Sequence, residues 1–201
     1  MGRVRSATRT VGVFDKSDSM RITGGTLRGR RPNIVKGFPG RPTTDFGRES
    51  LFNLLRTRVD LEGLDVLDLF AGTGIVSMEF MSRGVASCHA VDADAKAMRH
   101  LQRTFDEMEM DTCQAVRADV VSFLKRVPQS FDLVFADPPY DWIELANLPS
   151  MIVQSGVLRL GNWFIVEHGD RTDLASAPGF LEMRKYGQVH FSLFQQPESQ
   201  D

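Results

Sequence analysis

The sequence predicts an α/β fold, a mostly parallel sheet with helices on both faces, preceded by a small basic segment. Three observations carry the prediction. After Gly63, short apolar runs rich in β-formers alternate with stretches whose apolar residues recur at helical spacing. That alternation specifies parallel strands joined by crossover helices. The first run, "DVLDLF", passes directly into the turn "AGTG", which opens a helix. Near the end, Leu181 to Tyr186 and Val189 to Gln195 flank Gly187 as an antiparallel hairpin.

Residues 1–19 mix Arg, Ser, Thr and Asp without sustained periodicity and read as a disordered extension. Residues 20–60 form the second segment. Within it, Arg21 to Leu27 and Arg30 to Val35 read as two short strands of a basic β-hairpin, joined near Arg28-Gly29. The loop "KGFPGRPTTD" follows. Thr44 or Asp45 can cap the next helix, in which Leu51, Leu54, Leu55 and Val59 share a face. Residues 61–201 form the main domain. Its further strand candidates are Ala86 to Val91, Gln114 to Ala118, Phe131 to Ala136 and Trp163 to Glu167. A helix over Ala95 to Met108 presents Met98, Leu101, Phe105 and Met108 on one side.

A chain of 201 residues with 42% hydrophobic and 25% charged content is long enough to bury a substantial core. It has neither a membrane-spanning apolar run nor a signal-type N-terminus, which makes a cytoplasmic location the expectation. Cys88 and Cys113 fall inside strand candidates without metal-ligand spacing and read as reduced core thiols, and the four histidines show no zinc pattern. No metal is expected. The net charge of −2 conceals an asymmetry: residues 1–59 hold 13 of the 24 Lys and Arg but only 4 of the 26 Asp and Glu. Eleven of those 13 cations are arginines, which fork onto phosphates, so a polyanionic partner is expected.

The first strand-to-helix junction is "DVLDLFAGTGIVSMEF". Gly72 and Gly74 lack side chains where the backbone turns tightly toward a ligand, with Ala71 and Thr73 completing the turn. Ser77 stands where the dinucleotide fingerprint needs a third glycine, and no phosphate-binding G-K-[ST] follows. Asp68, just before the turn, would repel a pyrophosphate but receive an ammonium. Asp92, followed by Ala93 at the tip of the second strand, is placed to accept hydrogen bonds from ribose hydroxyls. Asp119 and Val120, at the tip of the third, are placed beside an adenine. Each aspartate alone has an equally simple reading as a helix cap. Together they describe a nucleoside with an amine and no pyrophosphate, which S-adenosylmethionine fits.

"DLFAGTGIVSMEFMSRG", "VDAD" and "DPPY" together resemble a Rossmann-like class I S-adenosylmethionine-dependent methyltransferase acting on an exocyclic amino group. "MRITGGTLRGRRP" and "RPTTDFGRESLFNLL" narrow the resemblance to the RsmD family, bacterial enzymes of the guanine(966)-N2 class that modify 16S ribosomal RNA. The resemblance runs from about Met20 to the terminal hairpin. It implies a seven-stranded sheet, S-adenosylmethionine as methyl donor, and 16S RNA within a small ribosomal subunit as partner. By the same resemblance Thr43 and Thr44 close over the methionine end of the donor. Phe46 and Gly47 depart from the Arg-Val of many members, and Gly47 weakens the helix start.

In "DPPY", Pro138 and Pro139 have no N–H, and Asp137 and Pro138, each preceding a proline, are held extended. The loop offers acceptors, so the Asp137 carboxylate and the Pro138 carbonyl can take both N–H groups of an amine and aim its lone pair. Tyr140 would stack on an unpaired or flipped base. Trp142 reads as packing. Arg21, Arg28, Arg30, Arg31 and Arg41 are expected to grip phosphates beside the active-site mouth. Glu167 and His168, near the same sheet edge, receive no role. Two other readings remain open, an N6-adenine methyltransferase acting on DNA or another RNA and a non-catalytic RNA-binding module. A monomer is expected.

Overall fold

The computed structural model describes residues 20–34, 45–127 and 129–197. Its helices are α1 (Asp45–Arg56), α2 (Ile75–Ser82), α3 (Ala95–Glu107), α4 (Val120–Leu124) and α5 (Leu148–Ser155). Its strands are β1 (Asp65–Leu69), β2 (Ser87–Asp92), β3 (Cys113–Arg117), β4 (Phe131–Ala136), β5 (Leu158–His168), β6 (Phe180–Tyr186) and β7 (Val189–Gln195). They form one seven-stranded sheet in the order β3-β2-β1-β4-β5-β7-β6. Strands β1 to β5 pair in parallel, and β7 runs antiparallel between β5 and β6. This is the expected sheet with its C-terminal hairpin. Among the described residues no helix is long and apolar enough to cross a membrane.

Successive residues of a strand point to opposite faces, so strands covered on both sides need apolar runs. In β1, Val66 packs with α1, α2 and α3 on one face, while Leu67 and Leu69 pack with α4 and α5 on the other. Phe135 and Ala136 in β4, and Ile165 and Val166 in β5, divide the same way. In α3 the buried residues include Met98, Leu101 and Phe105, the expected stripe, and Asp94 caps the helix by accepting from Lys96 N and Ala97 N. Cys88 and Cys113 are register partners with free, buried thiols. Burial pushes both thiols up, Cys113 to about 12, so they are inert core residues as expected.

The N-terminal segment requires a correction. No strand forms over residues 20–34. Ile22 and the Gly29-Arg30 pair make two backbone bonds, at 2.9 and 2.8 Å, and the ladder stops there. The donors a longer ladder would use are engaged on α2. Thr26 N bonds to Ser82 O at 2.7 Å, Leu27 N to Ser82 Oγ at 2.9 Å, and Thr23 N to Glu79 Oε1 at 2.7 Å. The expected hairpin is instead a loop moulded onto a helix. Ile22, Leu51 and Leu55 share the core cluster of Val66 and Phe135. Helix α1 forms with Gly47 buried and Phe46 64% exposed. Residues 1–19, Val35, Arg41, Thr43 and Thr44 lie outside the described residues.

Candidate functional site

The site grows from the carboxyl edge of the sheet between β1 and β4. The chain leaves β1 toward α2 on one face and leaves β4 toward α5 on the other. Loops diverging from adjacent parallel strands open a crevice at such a switch point. Phe70, at φ 62°, starts the turn after β1 in the left-handed region that side chains rarely adopt. Ala71 N bonds to Val91 O at 3.0 Å, and Gly72 N to Asp92 Oδ2 at 3.0 Å. Gly74, at φ 73°, donates to Ala71 O at 2.7 Å. A Cβ on Gly74 would stand 2.2 Å from Leu101 Cδ1, so this glycine lets α2 lie close against α3.

Below the turn lies Asp68, 1% exposed. Its Oδ2 accepts the Ser77 hydroxyl at 2.5 Å, which gives the residue that breaks the dinucleotide pattern a definite task. Burial first, and then Asp137 and Asp92, push the Asp68 carboxyl up to about 7. Asp92 also accepts Asp94 N, at 2.8 Å, so it orders both loops at the tip of β2. Ala93 beside it is exposed. Asp119 takes the capping role, with Oδ1 accepting Ser122 N at 2.9 Å. The Val120 side chain, 3% exposed, is turned into the core cluster below the sheet, so it presents no apolar face at the surface.

Asp137 follows β4, and its N–H reaches Leu69 O at 3.3 Å, tying the DPPY loop to the end of β1. Pro138 is buried and Tyr140 is 43% exposed. The Tyr140 hydroxyl donates to Glu167 Oε1 at 3.2 Å, and its ring lies against Gly169, where an added Cβ would come within 3.0 Å. Trp142 meets Phe70 edge to face at 4.9 Å, so it packs the two loops together. Glu167 is the residue that sequence reasoning missed. It is 4% exposed, and its Oε2 has no hydrogen-bond partner among the described residues. Burial first and then Asp137 push its carboxyl up to about 8. The available signal was a carboxylate closing the apolar run "WFIVE".

Asp68, Asp92, Asp137 and Glu167 thus bring four carboxyl groups to one edge, where Asp137 and Asp92 act on Asp68 and Asp137 acts on Glu167. Two are buried, and an organic cation relieves such crowding. Among the described residues, no group of three or more His, Cys, Asp or Glu is arranged to hold a metal ion. The described basic residues of the N-terminal loop lie at the surface. Arg28, Arg30 and Arg31 are exposed, and Arg21 pairs with Asp45 at 3.2 Å. The loop tip carrying Arg28 docks on Ser82, the last residue of α2, seven residues beyond Ile75. That is about 10 Å along the helix from the glycine turn. The tip therefore meets α2 at the end opposite the glycine turn.

Known proteins share this architecture. An Escherichia coli protein, yhhF, superposes with a TM-score of 0.78 at 28% identity, covering 90% of this chain and 99% of that one. A Thermus thermophilus protein does so at 0.75 and 30%, covering 88% and 99%. Ribosomal RNA small subunit methyltransferase D of Escherichia coli is 30% identical over 183 residues, 89% of this chain and 91% of the relative. Its Buchnera aphidicola namesake is 25% identical over 183 residues, 89% and 93%. The family model described as Conserved hypothetical protein 95 matches residues 20–195. By that match, and by its relatives, the chain belongs to this family, the RsmD family of S-adenosylmethionine-dependent methyltransferases.

Proposed function

We propose that the protein transfers the methyl group of S-adenosylmethionine to the exocyclic N2 amino group of an unpaired guanine in 16S ribosomal RNA, acting as a monomer on the small subunit. The observation that carries this reading is the bond from Asp137 N to Leu69 O, which holds an acceptor-rich loop beside the glycine turn. The two features lie one strand spacing apart, about 4.8 Å. The names of the methyltransferase D relatives support ribosomal RNA as the substrate.

The residues present fit the donor. Its ammonium and sulfonium charges suit an edge where burial first, and then the neighbouring Asp137 and Asp92, hold Asp68 above its ordinary range. Gly72 and Gly74 keep the turn bare, and Asp92 and Asp119 supply acceptors for a nucleoside. Thr43 and Thr44 are assigned to the methionine end. When bound, S-adenosylmethionine would supply an electrophilic methyl group and, as its S–C bond to that methyl breaks, leave as the neutral thioether S-adenosylhomocysteine.

The chain itself orients the nucleophile. The Asp137 carboxylate and the Pro138 carbonyl accept the two amino hydrogens, which turns the nitrogen lone pair out of the ring's conjugation. As the new N–C bond forms, Asp137 stabilises the positive charge on nitrogen and receives the released proton. Tyr140 stacks on the base, and the exposed arginines hold phosphates away from the reacting atoms. The test is transfer of labelled methyl to small ribosomal subunits lacking the modification, followed by nucleoside analysis. N2-methylguanosine formed by the unmutated protein and not by Asp137→Ala supports the reading. Label recovered only in adenine, or only from duplex DNA, overturns it.

A further inference from the structure

The acceptors Asp137 and Pro138 do not distinguish guanine from adenine or cytosine, because all three bases present the same amino group. The difference lies one atom away. Beside its amino group guanine carries N1–H, a donor, whereas adenine N1 and cytosine N3 are acceptors. A residue that reads this atom must stand next to Asp137 and have a hydrogen-bonding position to spare.

Glu167 meets both conditions. Register runs Phe135↔Ile165 and Ala136↔Val166, so the next pair across β4 and β5 is Asp137 and Glu167. Tyr140 holds Oε1 with its hydroxyl, and the bare backbone at Gly169 lets the ring lie close enough to do so. Oε2 is left buried without a partner among the described residues. Native proteins rarely leave such an atom unsatisfied unless a ligand completes it. We propose that Glu167 is the residue that selects guanine, its Oε2 accepting N1–H of the target base while Asp137 and Pro138 take the adjoining amino group. That selection rests on the amino-methylation reading.

The electrostatics make the selection depend on protonation. Among the described residues, Asp137 on the β4 side and the Tyr140 hydroxyl from the loop are the polar groups that face Glu167. Its register partner on β7 is Phe191, which brings no charge. His168, the next residue, is occupied by Ser192 Oγ at 2.8 Å and Gly169 O at 2.9 Å. With a carboxyl held up to about 8, both forms of Glu167 exist near neutral pH. The ionised form accepts N1–H of guanine. The protonated form donates to a ring nitrogen that bears a lone pair.

2-Aminopurine keeps the 2-amino group and replaces N1–H with an acceptor, so it isolates the contact. The experiment gives full-length protein and S-adenosylmethionine small ribosomal subunits reconstituted with 16S RNA that carries guanine or 2-aminopurine at the target position. It measures kcat/KM for each between about pH 6 and 8.5, the window set by the raised carboxyl. The unmutated enzyme should favour guanine by about tenfold or more at the upper end. Its guanine profile should rise with pH while its 2-aminopurine profile falls. In Glu167→Gln the amide can donate to the ring nitrogen, so the preference should shrink by about tenfold and become independent of pH. Parallel pH profiles for the two bases in the unmutated enzyme, or an unchanged preference in the variant, overturn the assignment and leave N2 methylation standing. Transfer to neither base by the unmutated enzyme overturns the methylation reading, and the role of Glu167 with it.

Discussion

At the scale of single residues, Asp137 has the sharpest expected signature. Its carboxylate is assigned to the reacting amine, while its backbone N–H, bonded to Leu69 O at 3.3 Å, ties the loop to the turn in a way that no side-chain change removes. Asp137→Ala should lower kcat by about 100-fold or more while leaving the dissociation constant for S-adenosylmethionine within a few-fold. Isothermal titration beside single-turnover transfer separates the two effects. Asp68 and Glu167 make a different prediction. Their folded-state values are raised, from 3.8 to about 7 and from 4.5 to about 8. The folded protein therefore keeps protons that the unfolded chain has released. The stability these groups contribute is fully present below about pH 4 and is lost as pH rises through about 7 to 8. Without ligand, unfolding free energy should fall by a few kcal/mol from about pH 5 to 8, and Asp68→Asn combined with Glu167→Gln should flatten the slope. Thermal unfolding across that range checks the sign. Asp137 was legible in the sequence because two prolines mark its loop. Glu167 was not, because its importance lies in a neighbour across the sheet and in a buried oxygen.

At the scale of elements, the joint between the N-terminal segment and α2 is held by buried charge. Glu79 is fully buried and takes Arg48 on one oxygen, at 3.4 Å, and Arg83 on the other. Arg48, also fully buried, reaches Arg21 O at 2.9 Å and Asp45 Oδ1 at 2.6 Å. Arg48→Met removes one partner and leaves buried charge behind, so it should cost about 3–5 kcal/mol in urea unfolding. The exposed arginines should behave in the opposite manner. Replacing Arg28, Arg30 and Arg31 together should raise the Michaelis constant for RNA while kcat holds, since the loop tip lies at the far end of α2. It should also flatten the salt dependence by about 0.7 in log–log slope for each phosphate that is no longer gripped. A fall in kcat with an unchanged salt slope would assign these arginines a structural role instead. The helices and strands themselves were legible. Val189–Gln195 and Phe131–Ala136 match their expected bounds, because period two and apolar runs are local signals. The loop over residues 20–34 has the sequence pattern of a hairpin, and the partners that divert its hydrogen bonds lie on α2, more than 50 residues away.

At the scale of the molecule, the sheet order places the turn after β1 beside the loop after β4, although about 70 residues separate them in sequence. Alternation of strands and helices was enough to foresee a crevice at that edge, because the handedness of parallel connections leaves few topologies. It did not reveal that Phe70 and Trp142 would lock the two loops together, a contact that only the folded register creates. Nor could charge counting locate the basic surface. The excess of arginine in residues 1–59 was visible, but its docking onto the far end of α2 was not.

That docking also has a consequence for biosynthesis. Residues 20–34 leave the ribosome before the groups that hold them exist: Glu79 and Ser82 come more than 50 residues later, and His100 and Thr104, which bond to Asn33 O at 2.6 and 2.9 Å, about 70 later. A growing chain stopped within α2 would expose Ile22 and the basic loop without their support. This segment can therefore be fully seated only after α3 has emerged, long after its own synthesis.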